Sequence, residues 1–213
     1  MSAPAAPARS GAPWVIVREG EKLLDPAVLL TATGVRYQDE GPYDRDEAGV
    51  LWARWGGRPT GRPRLGDAHG PRQRRALRQL LCQGCKQPAD RTADGTLWLI
   101  EDDPQGGDAW PEQLLTMHPP TCQPCADIAD RYCPHLGATG SALLRVRHAE
   151  PADVRGFLHQ ARPGAPASRT RTDFVDFRYP LVRFVVAVHL VVALEGCTII
   201  RRTPPRTCDT NPR

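Results

Sequence analysis

Apolar residues along this 213-residue chain fall in runs separated by stretches rich in proline and glycine. The stretches PWVIV (13–17), GVRY (34–37) and GVLWARW (49–55) are rich in β-branched and aromatic residues and read as short strands, and DPAVLL (25–30) as a short helical or extended piece. A helix is predicted to open at Pro71, a residue suited to the first helical position. Leu77, Leu80 and Leu81 then recur at i, i+3 and i+4 as its inward stripe. SALLRVRH (141–148) reads as a strand and AEPADVRGFLHQ (149–160) as a helix with proline in its first turn. The run LVRFVVAVHLVVAL (181–194) has sizeable apolar residues at every even position, which suits a strand. Its length, and Gly196 where a C-cap glycine would stand, favour a buried helix followed by a strand at CTII.

Proline and glycine divide the rest. They gather at 1–13, 56–71, 104–111, 163–168 and 203–213, the expected tails, linkers and loops. The implied order is a disordered tail 1–13, a β-rich segment 14–56, a Gly/Pro/Arg linker 57–70, and a module 71–136. A C-terminal α/β segment 141–202 and a disordered tail 203–213 complete it. Between Asp39 and Glu47 five acids occupy nine positions around Gly41-Pro42. That pattern reads as a solvated turn, since no calcium-loop spacing is present. The apolar run at 181–194 is shorter than the roughly 20 residues a membrane span needs and carries Arg183 and His189.

The chemistry concentrates in the cysteines. CQGC (82–85) and CQPC (122–125) are separated by 36 residues, and no leader-like segment begins the chain. A cytoplasmic location with reduced thiols is therefore expected, and close pairs read as metal ligands. Two such turns supply the four soft donors that Zn2+ takes in a closed structural site, Cys82, Cys85, Cys122 and Cys125. Gly84 lets the backbone fold tightly beneath the metal, and Pro124 opens a helix whose first turn carries Cys125. Ala126, Ile128, Ala129 and Tyr132 give that helix an apolar side. CPHL (133–136) offers Cys133 and His135, and His118 precedes the second pair; these are alternative ligands or half of a second site, against a reading as a helix cap and surface histidines. Cys197 reads as a core thiol and Cys208 as a tail residue.

Knuckle, hairpin (ADRT, TLWLIED) and a second pair at a helix start form an order that resembles the treble-clef zinc finger over roughly residues 80–136. The fold class expected is α+β, with that module embedded in a mixed α/β single domain with disordered termini. More broadly, LCQxC, HPPxCxPCA and CPHL resemble an actinobacterial family of small proteins, a resemblance that implies no activity.

Net charge is only +4, too small to announce a nucleic-acid partner, and four thiolates around one divalent ion lower it to +2. Local distribution matters more. From Arg54 to Arg78 there are eight arginines and one acid, Asp67. These either balance the thiolate cluster or track a phosphate backbone, with Arg72, Arg74, Arg75 and Arg78 on the helix as the contacts. Trp52, Trp55, Trp98 and Trp110 are bases' stacking partners or core. The leading expectation is a non-catalytic zinc-stabilised binding module for nucleic acid. A protein adaptor is the alternative, and a divergent HNH-like nuclease a distant third. The nuclease lacks histidines over 86–117, leaving His118 with Asp102 and Asp103. No catalytic motif identifies an enzyme.

Overall fold

The computed structural model describes residues 12–162 and 165–206, mostly strand with three α-helices among them. Six short strands come first: β1 (Ile16–Arg18), β2 (Glu21–Leu23), β3 (Val28–Thr31), β4 (Gly34–Tyr37), β5 (Leu51–Trp52) and β6 (Trp55–Gly57). Then follow β7 (Pro63–Ala68), α1 (Gly70–Arg78), β8 (Arg91–Thr92), β9 (Gly95–Glu101), β10 (Leu114–Thr116), α2 (Gln123–Tyr132) and α3 (Pro134–Thr139). The C-terminal part holds β11 (Ser141–Arg162), β12 (Ala165–Asp176), a 3-10 turn Pro180–Phe184 and β13 (Val185–Thr203). No helix is long and apolar enough to cross a membrane. Cys208 lies outside the described residues, as do the expected tails up to residue 11 and from residue 207.

The chain divides into two compact units, and β11 and β13 give one half to each. The first unit takes the described residues of 1–15, 75–150 and 193–213. Its strands run in the order β10-β13-β11-β9-β8, with Ser141 opposite Glu101 and Leu144 opposite Trp98 on the β11/β9 ladder. β9 is buried from Gly95 to Ile100, as expected of a central strand, and α2 lays Ala126 on Leu97, Leu99 and Leu143. Trp98 is fully buried, and its indole N–H donates to the His118 carbonyl at 2.8 Å.

The second unit takes residues 16–74 and 151–192. Here β12 pairs β11 and β5 pairs β13, and Val35, Tyr37, Leu51 and Val186 form one apolar cluster. Three antiparallel pairs, β1/β7, β2/β6 and β3/β4, complete it. Gln73, fully buried on α1, donates through Nε2 to the Leu190 carbonyl and accepts the Leu190 N–H, so both its polar ends are satisfied.

Three expectations are corrected. Residues 185–194 are strand, not helix: the run is dense in β-branched valine, and a strand covered on both faces needs no polar alternation. Gly196 caps nothing; it sits inside β13 with φ +63°. Residues 149–160 belong to β11, where Gly156 permits a close strand approach: a Cβ there would stand 2.1 Å from the Val186 carbonyl oxygen. The C-terminal segment is thus strand apart from one 3-10 turn. The linker 57–70 is partly β7, paired with β1 through Ile16 and Ala68.

Candidate metal centre

The first cysteine pair sits on a tight knuckle in the first unit. Leu81 bridges Pro88, the Cys82 N–H donates to the Gln87 carbonyl at 2.7 Å, and the Lys86 N–H donates back to the Cys82 carbonyl at 2.9 Å. Gly84 is required by the approach of a ligand: a Cβ there would lie 2.7 Å from Cys125 Sγ and 2.9 Å from Cys125 Cβ. The second pair opens α2. Cys122 is its N-cap in extended conformation, Pro124 occupies the first turn, and the Ala126 N–H closes on the Cys122 carbonyl at 2.9 Å. Backbone bonds tie the two knuckles together: Gln83 donates to Pro120, Asp90 to Thr121, and Thr121 to Leu97.

This folding brings the Sγ atoms of Cys82, Cys85, Cys122 and Cys125 all within 4.8 Å of one another. The Cys85 and Cys122 sulfurs are 3.7 Å apart, close to the roughly 3.8 Å edge of a tetrahedron with metal–sulfur bonds of about 2.3 Å. Cys82 and Cys125 are buried, Cys85 and Cys122 half-buried. The Cys82 thiol is drawn down to about 4, first by its hydrogen bond with Cys125, and against burial by the Cys85 and Cys122 amides and the Thr121 hydroxyl. Burial pushes Cys122 up to about 11, and the hydrogen bond to Cys82 together with burial raises Cys125. One thiolate is therefore stabilised by protein groups alone, and its charge opposes ionisation of Cys122 and Cys125 beside it. Four converging sulfurs in that condition suit a divalent cation, and they fill a tetrahedron without leaving an open position.

The other sulfur and imidazole groups are not brought together with these. Cys133 is the N-cap of α3, and the exposed His135 ring pairs with Glu101 at 2.9 Å. The His118 N–H donates to the Thr116 hydroxyl. Asp102 is held by Arg202 at 2.9 Å. Among the described residues the four cysteines are the one group of His, Cys, Asp or Glu side chains with ligand spacing. Cys197 is half-buried, its thiol raised to about 11 by burial.

The α1 arginines split. Arg72 grips the buried Glu21 carboxylate at 2.5 and 2.8 Å and the Ile16 carbonyl at 2.8 Å, and the Arg74 guanidinium lies 4.0 Å over the Trp52 ring. Arg75 and Arg78 are exposed. The acidic turn is spoken for as well: Arg54 bonds Asp44 and Asp39, Arg45 bonds Glu40, and Asp46 accepts the Trp52 indole N–H at 2.9 Å. Of the tryptophans, Trp52 and Trp98 are core, Trp110 lies under Arg202, and Trp55 stacks on His69 at 4.4 Å. The polar cluster of Glu21, His69, Arg72 and Trp55 has no counterpart in the sequence reading, because its members are scattered from 21 to 72 with no spacing to link them.

The chain is thus a mixed α/β protein with a four-cysteine cluster able to hold a metal ion. Comparison with protein-family models, with curated proteins and with solved structures gives no match.

Proposed function

We propose that this chain is a non-catalytic binding module whose first unit is locked by one structural zinc ion on Cys82, Cys85, Cys122 and Cys125. The observation carrying this is the convergence of the four Sγ atoms within 4.8 Å from a knuckle and a helix start. Zinc is the divalent ion that all-thiolate tetrahedra suit best, and metal bound this way contributes folding free energy directly. The succession of knuckle, β8/β9 hairpin and α2 supports a treble-clef-like arrangement, and the CxxC and CPHL motifs support kinship with the actinobacterial family they resemble. A reduced, cytoplasmic setting fits ligands that must remain thiolates. A closed four-sulfur site does no chemistry itself, so the module acts by presenting a surface. Nucleic acid is the partner we favour, through exposed basic side chains beside the metal. A protein-adaptor reading rests on Ile128 and Tyr132, 37% and 66% exposed four residues apart on α2.

Elemental analysis of protein purified without chelator tests the metal. About one zinc per chain is expected, lost in Cys82→Ser or Cys122→Ser together with soluble yield, and retained in Cys133→Ser and His135→Ala. A folded, metal-free wild type would refute the proposal, and loss of metal in either of the last two variants would move the site to a mixed Cys/His set.

A further inference from the structure

Within the first unit, charge is sharply polarised along the chain. Residues 75–91 carry four basic side chains, Arg75, Arg78, Lys86 and Arg91, and one acid, Asp90; residues 92–112 carry six acids and no base. Asp90 is already neutralised by Arg145 at 2.6 Å. All four basic side chains are exposed. The knuckle brings their backbone positions close together. Its two arms are zipped by Ala89 N–H donating to the Leu80 carbonyl and by the Leu81/Pro88 bridge, so Arg78 stands just before one arm and Arg91 just after the other. Arg75 lies one helical turn behind Arg78 and is oriented by Gln79 at 3.0 Å. At the knuckle's tip, Trp14 is pinned alongside by its N–H to the Gly84 carbonyl, with Val15 donating to Gln83, and the Lys86 ammonium sits 5.6 Å from the Trp14 ring centroid.

We infer that this knuckle rim, Arg78, Lys86 and Arg91 backed by Arg75 and Trp14, is a docking surface for a nucleic-acid phosphate backbone. The inference rests on the metal-stabilised module proposed above, since the metal holds the knuckle's shape. It replaces the α1 face as the contact surface: Arg72 and Arg74 are committed to Glu21 and Trp52, whereas Lys86 and Arg91 lie beyond the helix. Exposed cations grouped on a tight turn, whose one acid within 75–91, Asp90, is paired with Arg145, suit a polyanion, and none of them requires a base-specific partner.

The test uses metal-loaded full-length protein and a labelled oligonucleotide, single-stranded and duplex, in an anisotropy titration across salt. Three phosphate contacts predict a log–log slope of about −2.7 on duplex and about −2.1 on single strands. Raising salt fourfold should then weaken duplex binding about 40-fold. Lys86→Glu with Arg91→Glu should weaken binding more than about tenfold and flatten the duplex slope by about 1.8, with metal content and melting temperature unchanged. The same charge change at the exposed Arg58 and Arg62 of the second unit should leave binding intact. Lys86→Gln with Arg91→Gln gives the slope change without charge reversal should the Glu pair misfold. The inference is overturned by no binding of metal-loaded wild type at low salt, by equal effects of the two reversals, by binding of an acidic peptide in preference to nucleic acid, or by metal loss in the rim variants. The last result would assign these cations to balancing the thiolates. Failure of the metal proposal itself shows separately, as a metal-free wild type.

Discussion

Acidification should weaken the second unit through one histidine. His69 packs its ring against Trp55, its Nε2 lies 3.7 Å from Glu21 Oε1, and its side chain is only 12% exposed. Burial, with the Arg72 guanidinium reinforcing it and Glu21 opposing it, holds its pKa down at about 4 against an ordinary 6.5. The unfolded chain therefore binds a proton that the folded chain refuses between those two values. The stabilisation is complete above about pH 6.5 and is lost as pH falls toward 4. Its full size is about 3 kcal/mol, of which about 2 kcal/mol should disappear between pH 7 and pH 5. His159 and His189 are lowered too and add in the same direction. Glu21 is also lowered, so its contribution vanishes only below about 4.5, outside this window. The perturbation is His69→Phe, which keeps a ring against Trp55 and removes the titration. Urea unfolding of wild type and variant at both pH values, followed by fluorescence, gives the difference of differences, in which thiol protonation and the other histidines cancel. The reasoning fails if the variant loses as much stability as wild type between pH 7 and pH 5, or if the His69 ring titrates near 6.5 in the folded protein.

Two shorter predictions complete these. Gly84→Ala should reduce metal affinity on the order of 10- to 100-fold by pushing Cys125 Sγ off its position, measured by competition with a chelator; unchanged affinity would mean the knuckle yields freely. Glu21→Gln should cost about 3–5 kcal/mol, because it strands the Arg72 guanidinium in a site where the carboxylate is only 5% exposed; a loss below about 1 kcal/mol in urea unfolding would show that the pair is dispensable.

The four-cysteine cluster was legible because its signal is local. Each Cys-x-x-Cys turn brings its own two sulfurs close whatever the rest of the chain does, and Gly84 and Pro124 announce the turn and the helix start within the same four residues. The C-terminal strands were not legible, for the opposite reason. Residues 185–194 are apolar on both faces because strands flank them on both sides and other elements cover them, and a fully buried strand and a buried helix look alike in a single sequence. Gly196 misled in the same way: read locally it ends a helix, whereas in the fold it carries a positive φ inside β13.

Charge was the least legible quantity, and the arginines show why. In sequence, the eight from Arg54 to Arg78 form one basic run; in the fold, Arg54, Arg64, Arg72 and Arg74 are consumed by Asp39 and Asp44, Asp67, Glu21 and Trp52. The two weighed roles, neutralising thiolates and contacting phosphate, both assumed that the run acts as a block. Instead three of the eight pair with carboxylates of the second unit, and of these only the Arg72 and Arg54 contacts to Glu21 and Asp44 seat acids that are largely buried. Of the other four, Arg58 and Arg62 are exposed in the second unit, and Arg75 and Arg78 are exposed on α1 just before the knuckle that carries Lys86 and Arg91, two residues that no helical periodicity would group with them. The basic surface we propose is built on the cysteine knuckle, so polyanion binding should be lost when the knuckle is opened by chelation even though every arginine remains. Retention of full binding by the chelated protein would separate the two and return the surface to α1 alone.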